Sequence, residues 1–386
     1  MYDVLVCGAG PAGSVAATVL ARRGLRVLLV DRATFPRDKL CGDTINPGTL
    51  ALLRRLQVAG DAEGAALPVD GMLVTGERGI QVRCAYAPGV RGLALLRRDL
   101  DAALLRAAVG AGVRFEDGVI VRGPMVDEGD GAPRVCGAVF AGRDGRDVRV
   151  PAPLVIAADG RRSRLALSLG LTAHPRRPRR WAIGAYFEGV AGVTSFGEMH
   201  VRRGRYIGVA RVSPSLTNVC LVVPDHRSPG EGDPDRRLAD PAALLRSQLS
   251  RDRLLADRFV AARMVTPPAV LGPLAVDARA AGMRGLLLAG DAAGFIDPMT
   301  GDGLRFAVRG GELAAEAAMA ALNGRVAAPH AALAHARRRE FRAKCRFNRA
   351  VRRLVSRGLA IEAAGLLASA APWVLRRAVA FAGDVS

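Results

Sequence analysis

This chain is poor in the residues on which several function classes depend. Aromatic side chains make up only 4% of its 386 residues, which leaves few stacking platforms for single-stranded nucleic acid. Lysine is nearly absent: Lys39 and Lys344 are the only two, so 54 of the 56 basic residues are arginine. A net charge of +20 would ordinarily raise nucleic acid or an anionic membrane as a partner. The arginines are spread along the chain, however, and no helix-turn-helix, zinc or RNA-binding signature accompanies them, so no nucleic acid is expected. The six cysteines (Cys7, Cys41, Cys84, Cys136, Cys220 and Cys345) form no C-x-x-C pair and no metal spacing with the five histidines. Neither a metal site nor a disulfide framework is supported. No run of about 18 uncharged apolar residues is present, and the first apolar run includes Asp3 and lacks a basic leader. A cytoplasmic protein that does not span a membrane is the expectation.

Half of the residues are apolar and 24% charged, the composition of an ordinary globular chain with a real core. Residues 2–7 read as a short buried strand. Gly8-Ala9-Gly10-Pro11-Ala12-Gly13 follows, then an Ala/Val-rich helix to about Arg23, then a second strand from Leu25 to Val30 closed by Asp31. A strand-turn-helix-strand unit of this length belongs to a doubly wound parallel sheet. Further pieces of the same lobe are a helix over residues 99–109, a strand over 113–121, a buried strand over 153–158 and an apolar strand over 285–289. Four alternating stretches near 181–189, 195–201, 206–212 and 217–223 indicate an antiparallel sheet, the natural substrate platform. Residues 225–240 read as a surface loop, residues 303–322 as a long Ala-rich helix, and the chain after Pro329 as helical and basic.

Gly8-x-Gly10-x-x-Gly13 gains its specificity from context. Gly8 permits the tight turn, Gly10 lets the backbone approach a pyrophosphate, and Gly13 lets the helix pack, with its positive end toward the phosphates. Asp31, 18 residues after Gly13, stands where a carboxylate accepts from ribose hydroxyls. No second fingerprint follows a strand, so no dedicated nicotinamide-binding domain is visible.

Beyond the fingerprint, with Pro11 and Ala12, the sequence carries Asp31-Arg32, the run 36–43 (Pro-Arg-Asp-Lys-Leu-Cys-Gly-Asp) and Arg98 in the run Arg97-Arg98-Asp99-Leu100-Asp101. It also carries Ala158-Asp159-Gly160, and Gly290-Asp291 followed by Pro298, Gly301, Asp302, Gly303 and Leu304. In these motifs, over about residues 2–165 and 275–325, the sequence resembles the flavin-dependent monooxygenase superfamily of p-hydroxybenzoate hydroxylase, and its sister branch of geranylgeranyl reductases. The resemblance implies an α/β fold: a Rossmann-type FAD-binding domain (residues 1–70, 96–175 and 272–325) interleaved with an antiparallel-sheet substrate domain (71–95 and 176–271), and a helical C-terminal region (326–386). It implies FAD as cofactor, with NAD(P)H as a transient reductant. Cys41 and Gly42 would lie in the loop under the flavin ring, Arg98 would reach the pyrophosphate and ribityl region, and Asp291 would bind the ribityl chain. The backbone of Asp302, Gly303 and Leu304 would favour negative charge at the pyrimidine end of the reduced flavin.

Two activities compete within that resemblance. A hydroxylase uses a flavin C4a-hydroperoxide to oxygenate an electron-rich small molecule, and a reductase passes hydride to an isoprenoid double bond. The loop with Cys41 leans toward the reductase. The reductase branch, however, carries Tyr-x-Trp-x-Phe-Pro on its substrate sheet, where this chain has Tyr206-Ile207-Gly208. The favoured expectation is hydroxylation of a phenolic or polyketide-like compound of secondary metabolism, with Arg211 paired to a substrate anion. Halogenation is disfavoured because the two tryptophans, Trp181 and Trp373, form no Trp-x-Trp motif. An electron carrier or sensor without its own substrate is the remaining class. Cys41 and Asp43 are catalytic candidates, Asp43 either moving protons or, like Asn46, capping the next helix. Phe187, Phe196, His200, Tyr206 and Gly208 are substrate candidates. The tail, with its arginines, Leu366-Leu367 and Trp373, reads either as a peripheral membrane contact or as helices packed across the lobes.

Overall fold

The computed structural model describes residues 1–129, 132–141, 146–176, 179–224, 239–355 and 371–384. The loop expected at 225–240, save its last two residues, and the Leu366-Leu367 pair lie outside the described residues.

Four near-continuous apolar runs, Val4–Cys7, Val27–Val30, Leu154–Ala157 and Leu286–Leu288, are buried along their whole length, as strands covered on both faces must be. They pair in parallel in the order 286–288, 154–157, 4–7, 27–30. Arg114–Glu116 extends one edge in parallel and Gly282–Met283 the other in antiparallel. Alternation then decides the two layers. Val4 and Val6 point toward the helix Pro11–Ala21 and the long helix Gly303–Leu322. Leu5 and Cys7 point toward a three-stranded antiparallel sheet, Ile120–Asp127, Arg134–Ala141 and Asp147–Pro151. That small sheet corrects the expectation of one strand over residues 113–121. The chain turns at Gly118, whose φ is +68°, and two strands in different sheets result.

The four expected antiparallel stretches are Arg180–Glu188, Phe196–Arg202, Arg205–Arg211 and Leu216–Pro224. They form the centre of an eight-stranded sheet that also takes in Gly71–Thr75 and Gln81–Ala85. Gly71–Thr75 joins it in parallel against Phe196–Arg202. One face of this sheet packs on the helix Pro241–Ser250 through Ile183, Ile207, Val219, Leu221, Leu245 and Leu249. The other face looks toward the parallel-sheet lobe. The helices Pro329–Val355 and Pro372–Ala382 complete the described chain.

Candidate active site

The fingerprint turn is shaped by contacts that a side chain would break. Gly8 has φ +105°, and a Cβ on Gly13 would collide with the Gly8 carbonyl. The helix therefore starts directly over the end of the first strand. Asp31 fastens this turn: its carboxylate accepts from Ala9 N–H at 2.8 Å and from Ala33 N–H at 2.9 Å. One lone pair on each oxygen remains for a ligand hydroxyl. Arg32 is exposed. Behind the turn, Gly311 of the long helix passes so close to Ala12 that a Cβ would strike its carbonyl. That crossing brings Gly290 and Asp291 beside the fingerprint. Asp291 faces the half-buried Arg161, 3.9 Å away. Asp159 lies behind this wall: it accepts from Arg164 N–H at 3.0 Å at the start of a short helix, and burial pushes its carboxyl up to about 6.

Residues 36–43 run beneath this wall toward the substrate sheet. Arg98 is at the surface beside Asp99. Its neighbour Arg97 is the one inside, bidentate to Asp101 at 2.9–3.1 Å. Arg98, expected to reach the cofactor, does not border the cavity, and Arg97 does. Cys41 and Gly42 line the cavity, with the Cys41 sulfur next to the Arg97 guanidinium. Lys39 lines the same end, and burial together with Arg97 lowers its pKa. Asp43 is buried and carries φ +52°. It accepts from Arg97 N–H at 3.0 Å, from the Tyr186 hydroxyl at 2.6 Å and from the Asn218 amide. Burial outweighs these three donors and pushes its carboxyl up to about 6. Asp43 does not cap the following helix; Asn46 does, accepting from Thr49 N–H at 2.8 Å. It instead ties the Cys41 loop to the substrate sheet, and Asn218 completes the tie by donating to the Cys41 carbonyl at 2.9 Å.

On the substrate sheet, strand alternation separates the candidates. Ala182, Met199, Val201, Gly208, Ala210, Asn218 and Cys220 line the cavity. Phe187 lies on the opposite face, edge-on to Phe259. His200 is buried between Thr75 and Glu198 at 2.9 and 2.8 Å, and Glu198 in turn binds Arg258. Arg211 is exposed and holds the carbonyls of Ser213 and Pro214 at the hairpin turn. Phe196 packs under the Arg83 guanidinium, away from the cavity. Tyr206 has the inward parity, but its hydroxyl donates to Asp297 at 2.6 Å, where Arg180 also binds at 2.9 Å. This Asp297–Arg180–Tyr206 cluster joins the sheet to the loop before Gly301 and had no sequence signal. Of the substrate candidates, Gly208 alone borders the cavity. Counting outward from it in steps of two, and across to Cys220 and Met199 in register, leads to the other sheet residues that line the cavity.

The cavity holds about 580 Å³. At the cofactor end its wall includes Gly10, Pro11, Ala12, Gly290, Asp291, Pro298, Gly301, Gly303 and Leu304, so the positive end of the long helix borders it. Asp302 turns its buried carboxylate away, to Lys344 at 2.9 Å; burial raises its pKa while Lys344 opposes that shift. Phe347, Val351 and Leu354 of the long basic helix and Leu375, Val379 and Ala382 of the last helix close the far wall. No cluster able to hold a metal ion exists among the described residues, and all six cysteines are free. A glycine cradle, an acidic strand end with free lone pairs, a helix start and the cations Lys39, Arg97 and Arg161 together fit a dinucleotide bearing an aromatic ring.

Residues 1–346 match the family model described as FAD binding domain. The chain belongs to that family. This flavoprotein is 32% identical over 333 residues to digeranylgeranylglycerophospholipid reductase 1 of Methanopyrus kandleri, covering 83% of this chain and 81% of that one. It is 31% identical over 326 residues to menaquinone reductase of Mycolicibacterium smegmatis, covering 81% and 75%. It is 28% identical over 350 residues to conditioned medium factor receptor 1 of Dictyostelium discoideum, covering 84% of this chain but 64% of that protein's length. Among solved structures, a flavin-dependent brominase superposes with a TM-score of 0.82 at 20% identity, covering 99% of this chain and 93% of that one, which shows a shared fold. The flavoprotein is an FAD-dependent oxidoreductase.

Proposed function

We propose that this flavoprotein reduces carbon–carbon double bonds of an isoprenoid chain. The observation that carries the reading is the substrate wall. From the sheet it presents Ala182, Met199, Val201, Gly208 and Ala210, and from the C-terminal helices Phe347, Val351, Leu375 and Val379. An apolar chain fits that lining, whereas a phenolate would find no cation on it. The charged side chains at the cavity (Lys39, Arg97, Arg161 and Asp291) come from the cofactor end, and Glu198 is bonded to His200 and Arg258. Arg211, on which oxygenation of a phenolic substrate leaned, is at the outer turn. Relatives at 31–32% identity named menaquinone reductase and digeranylgeranylglycerophospholipid reductase 1 point the same way. An electron carrier would need no such lobe.

Bound FAD, once reduced, would supply the hydride and solvent the proton that together saturate the double bond, and the protein binds, orients and dries the site. Gly10 to Gly13 and Asp31 would hold the adenosine and pyrophosphate end, Arg97 and Asp291 the central part, and Gly301 to Leu304 the pyrimidine end. The Asp43–Tyr186–Asn218 tie fixes the Cys41 loop between cofactor and substrate wall. NAD(P)H is proposed as the visiting reductant in the cytoplasm. Chemically reduced holoprotein, mixed without oxygen with an unsaturated polyprenyl lipid, should recover its yellow flavin absorbance. A fully saturated chain should leave it bleached. Equal reoxidation by both, or by neither, would remove the basis of this reading.

A further inference from the structure

Three of the large apolar side chains exposed at the surface belong to the two C-terminal helices, and two of them also line the cavity. Leu354 and Val374 are 38% and 36% exposed while also lining the cavity, so both stand where it meets the surface, and Trp373, next to Val374 in the chain, is 61% exposed. The last helix divides by face. Leu375, Ala378, Val379 and Ala382, at the spacing of one helical stripe, line the cavity. Trp373, Arg376 and Arg377 point to solvent. Arg346, Arg349 and Arg353 of the preceding long helix are exposed as well. From Phe341 to Gly383 the basic residues are Arg342, Lys344, Arg346, Arg349, Arg352, Arg353, Arg357, Arg376 and Arg377, against the single acid Glu362. The far end of the helix is fixed. Lys344 holds the Phe381 and Ala382 carbonyls at 2.6 and 2.9 Å, and Asn46 also donates to Ala382 at 3.1 Å.

We propose that this mouth docks on an anionic lipid bilayer. Trp373, Leu354 and Val374 enter the interfacial layer, and Arg346, Arg349, Arg353, Arg376 and Arg377 lie over acidic headgroups. An exposed indole among arginines is suited to the water–hydrocarbon boundary, and an apolar anchor with a basic patch provides the two signals that stable peripheral binding needs. An isoprenoid chain then passes from bilayer to cavity past Leu354 and Val374 without crossing water. The inference rests on the reading of the cavity as a site for an apolar chain. Its test involves no turnover, so either idea can fail alone.

Holoprotein should sediment with vesicles of equimolar phosphatidylglycerol and phosphatidylcholine but not of phosphatidylcholine alone, less at high salt. Trp373 emission should shift to the blue on binding, while Trp181, packed against Gly272, provides a constant background. The variant Trp373→Ala/Arg376→Gln/Arg377→Gln should bind at least tenfold more weakly with unchanged FAD content. The pair Arg23→Gln/Arg106→Gln, exposed arginines elsewhere, should bind like the parent. No sedimentation with the anionic vesicles, or equal weakening by both sets with no emission shift, would overturn the proposal.

Discussion

Replacing Lys344 with methionine tests how the end of the chain is held against the cofactor lobe. Its ammonium, almost fully buried, meets Asp302 at 2.9 Å and Asp384 at 3.0 Å. It also caps the Phe381 and Ala382 carbonyls at the end of the last helix. Methionine fills a similar volume, so the loss is electrostatic. It leaves Asp302, 1% exposed, without its cation and with one oxygen that already lacks a partner. Breaking a buried pair by removing one member costs roughly 3–5 kcal/mol, because the other charge stays uncompensated. Combining Lys344→Met with Asp302→Asn removes that stranded charge. The double variant should therefore regain about 1–3 kcal/mol over the single one, a coupling typical of residues in contact. Urea unfolding of the parent, the two single variants Lys344→Met and Asp302→Asn, and the double variant measures both quantities. Iodide quenching of the flavin should also rise in the single variant, since the pinned segment forms a cavity wall. A Lys344→Met protein within 1 kcal/mol of the parent, or a double variant no better than the single, would refute the reasoning.

Three further outcomes follow from the site. Asp291→Ala should weaken FAD retention by about 1.5–3 kcal/mol, the worth of a hydrogen bond to a charged group, while Arg211→Ala should leave it unchanged; equal retention in both would displace the ribityl assignment. Asp43 has a carboxyl raised from 3.8 to about 6, so the folded state holds its proton more tightly than the unfolded chain. Its contribution favours folding below about pH 4 and is lost as pH rises through 6. At about 1.4 kcal/mol per unit, this group's own share of the fall is about 3 kcal/mol over that window, beside a like share from Asp159, whose carboxyl is raised to about 6 as well. Asp43→Asn should make the fall shallower by that share, and an unchanged slope would show that Asp43 does not titrate there. At Gly208 the nearest heavy atoms to an added Cβ are 3.8 Å away, so Gly208→Trp should fold and keep FAD. It puts at this place the residue that the reductase branch carries there, so turnover of an isoprenoid chain should survive; lost FAD would show that this wall is not separate from the cofactor site.

The parts of the site legible in the sequence are those encoded by local backbone demands. The fingerprint turn, the strand ending in Gly290-Asp291 and the glycines before the long helix each need particular residues at fixed spacing, and they line one cavity. The antiparallel stretches were legible from alternation, yet alternation alone does not say which face is inward. His200, Phe187 and Arg211 looked chemically apt and sit on the wrong parity, while the inward residues Ala182, Met199 and Ala210 carry no chemical signal. Contacts between distant segments left no trace. Asp43 to Tyr186 and Asn218, Asp297 to Arg180 and Tyr206, and Lys344 to Asp302 each join residues far apart in sequence. Their local surroundings resemble ordinary strand, loop and helix.

The central claim, reduction of an isoprenoid double bond at this flavin, is tested most directly by the mass of the product. Holoprotein, an unsaturated polyprenyl lipid and a nicotinamide reductant are incubated in parallel under argon and under isotopically labelled oxygen. The argon sample should yield a product two hydrogens heavier per reduced bond, and neither sample should carry labelled oxygen. Product formed only with oxygen, carrying one labelled atom, would contradict it and establish oxygenation instead.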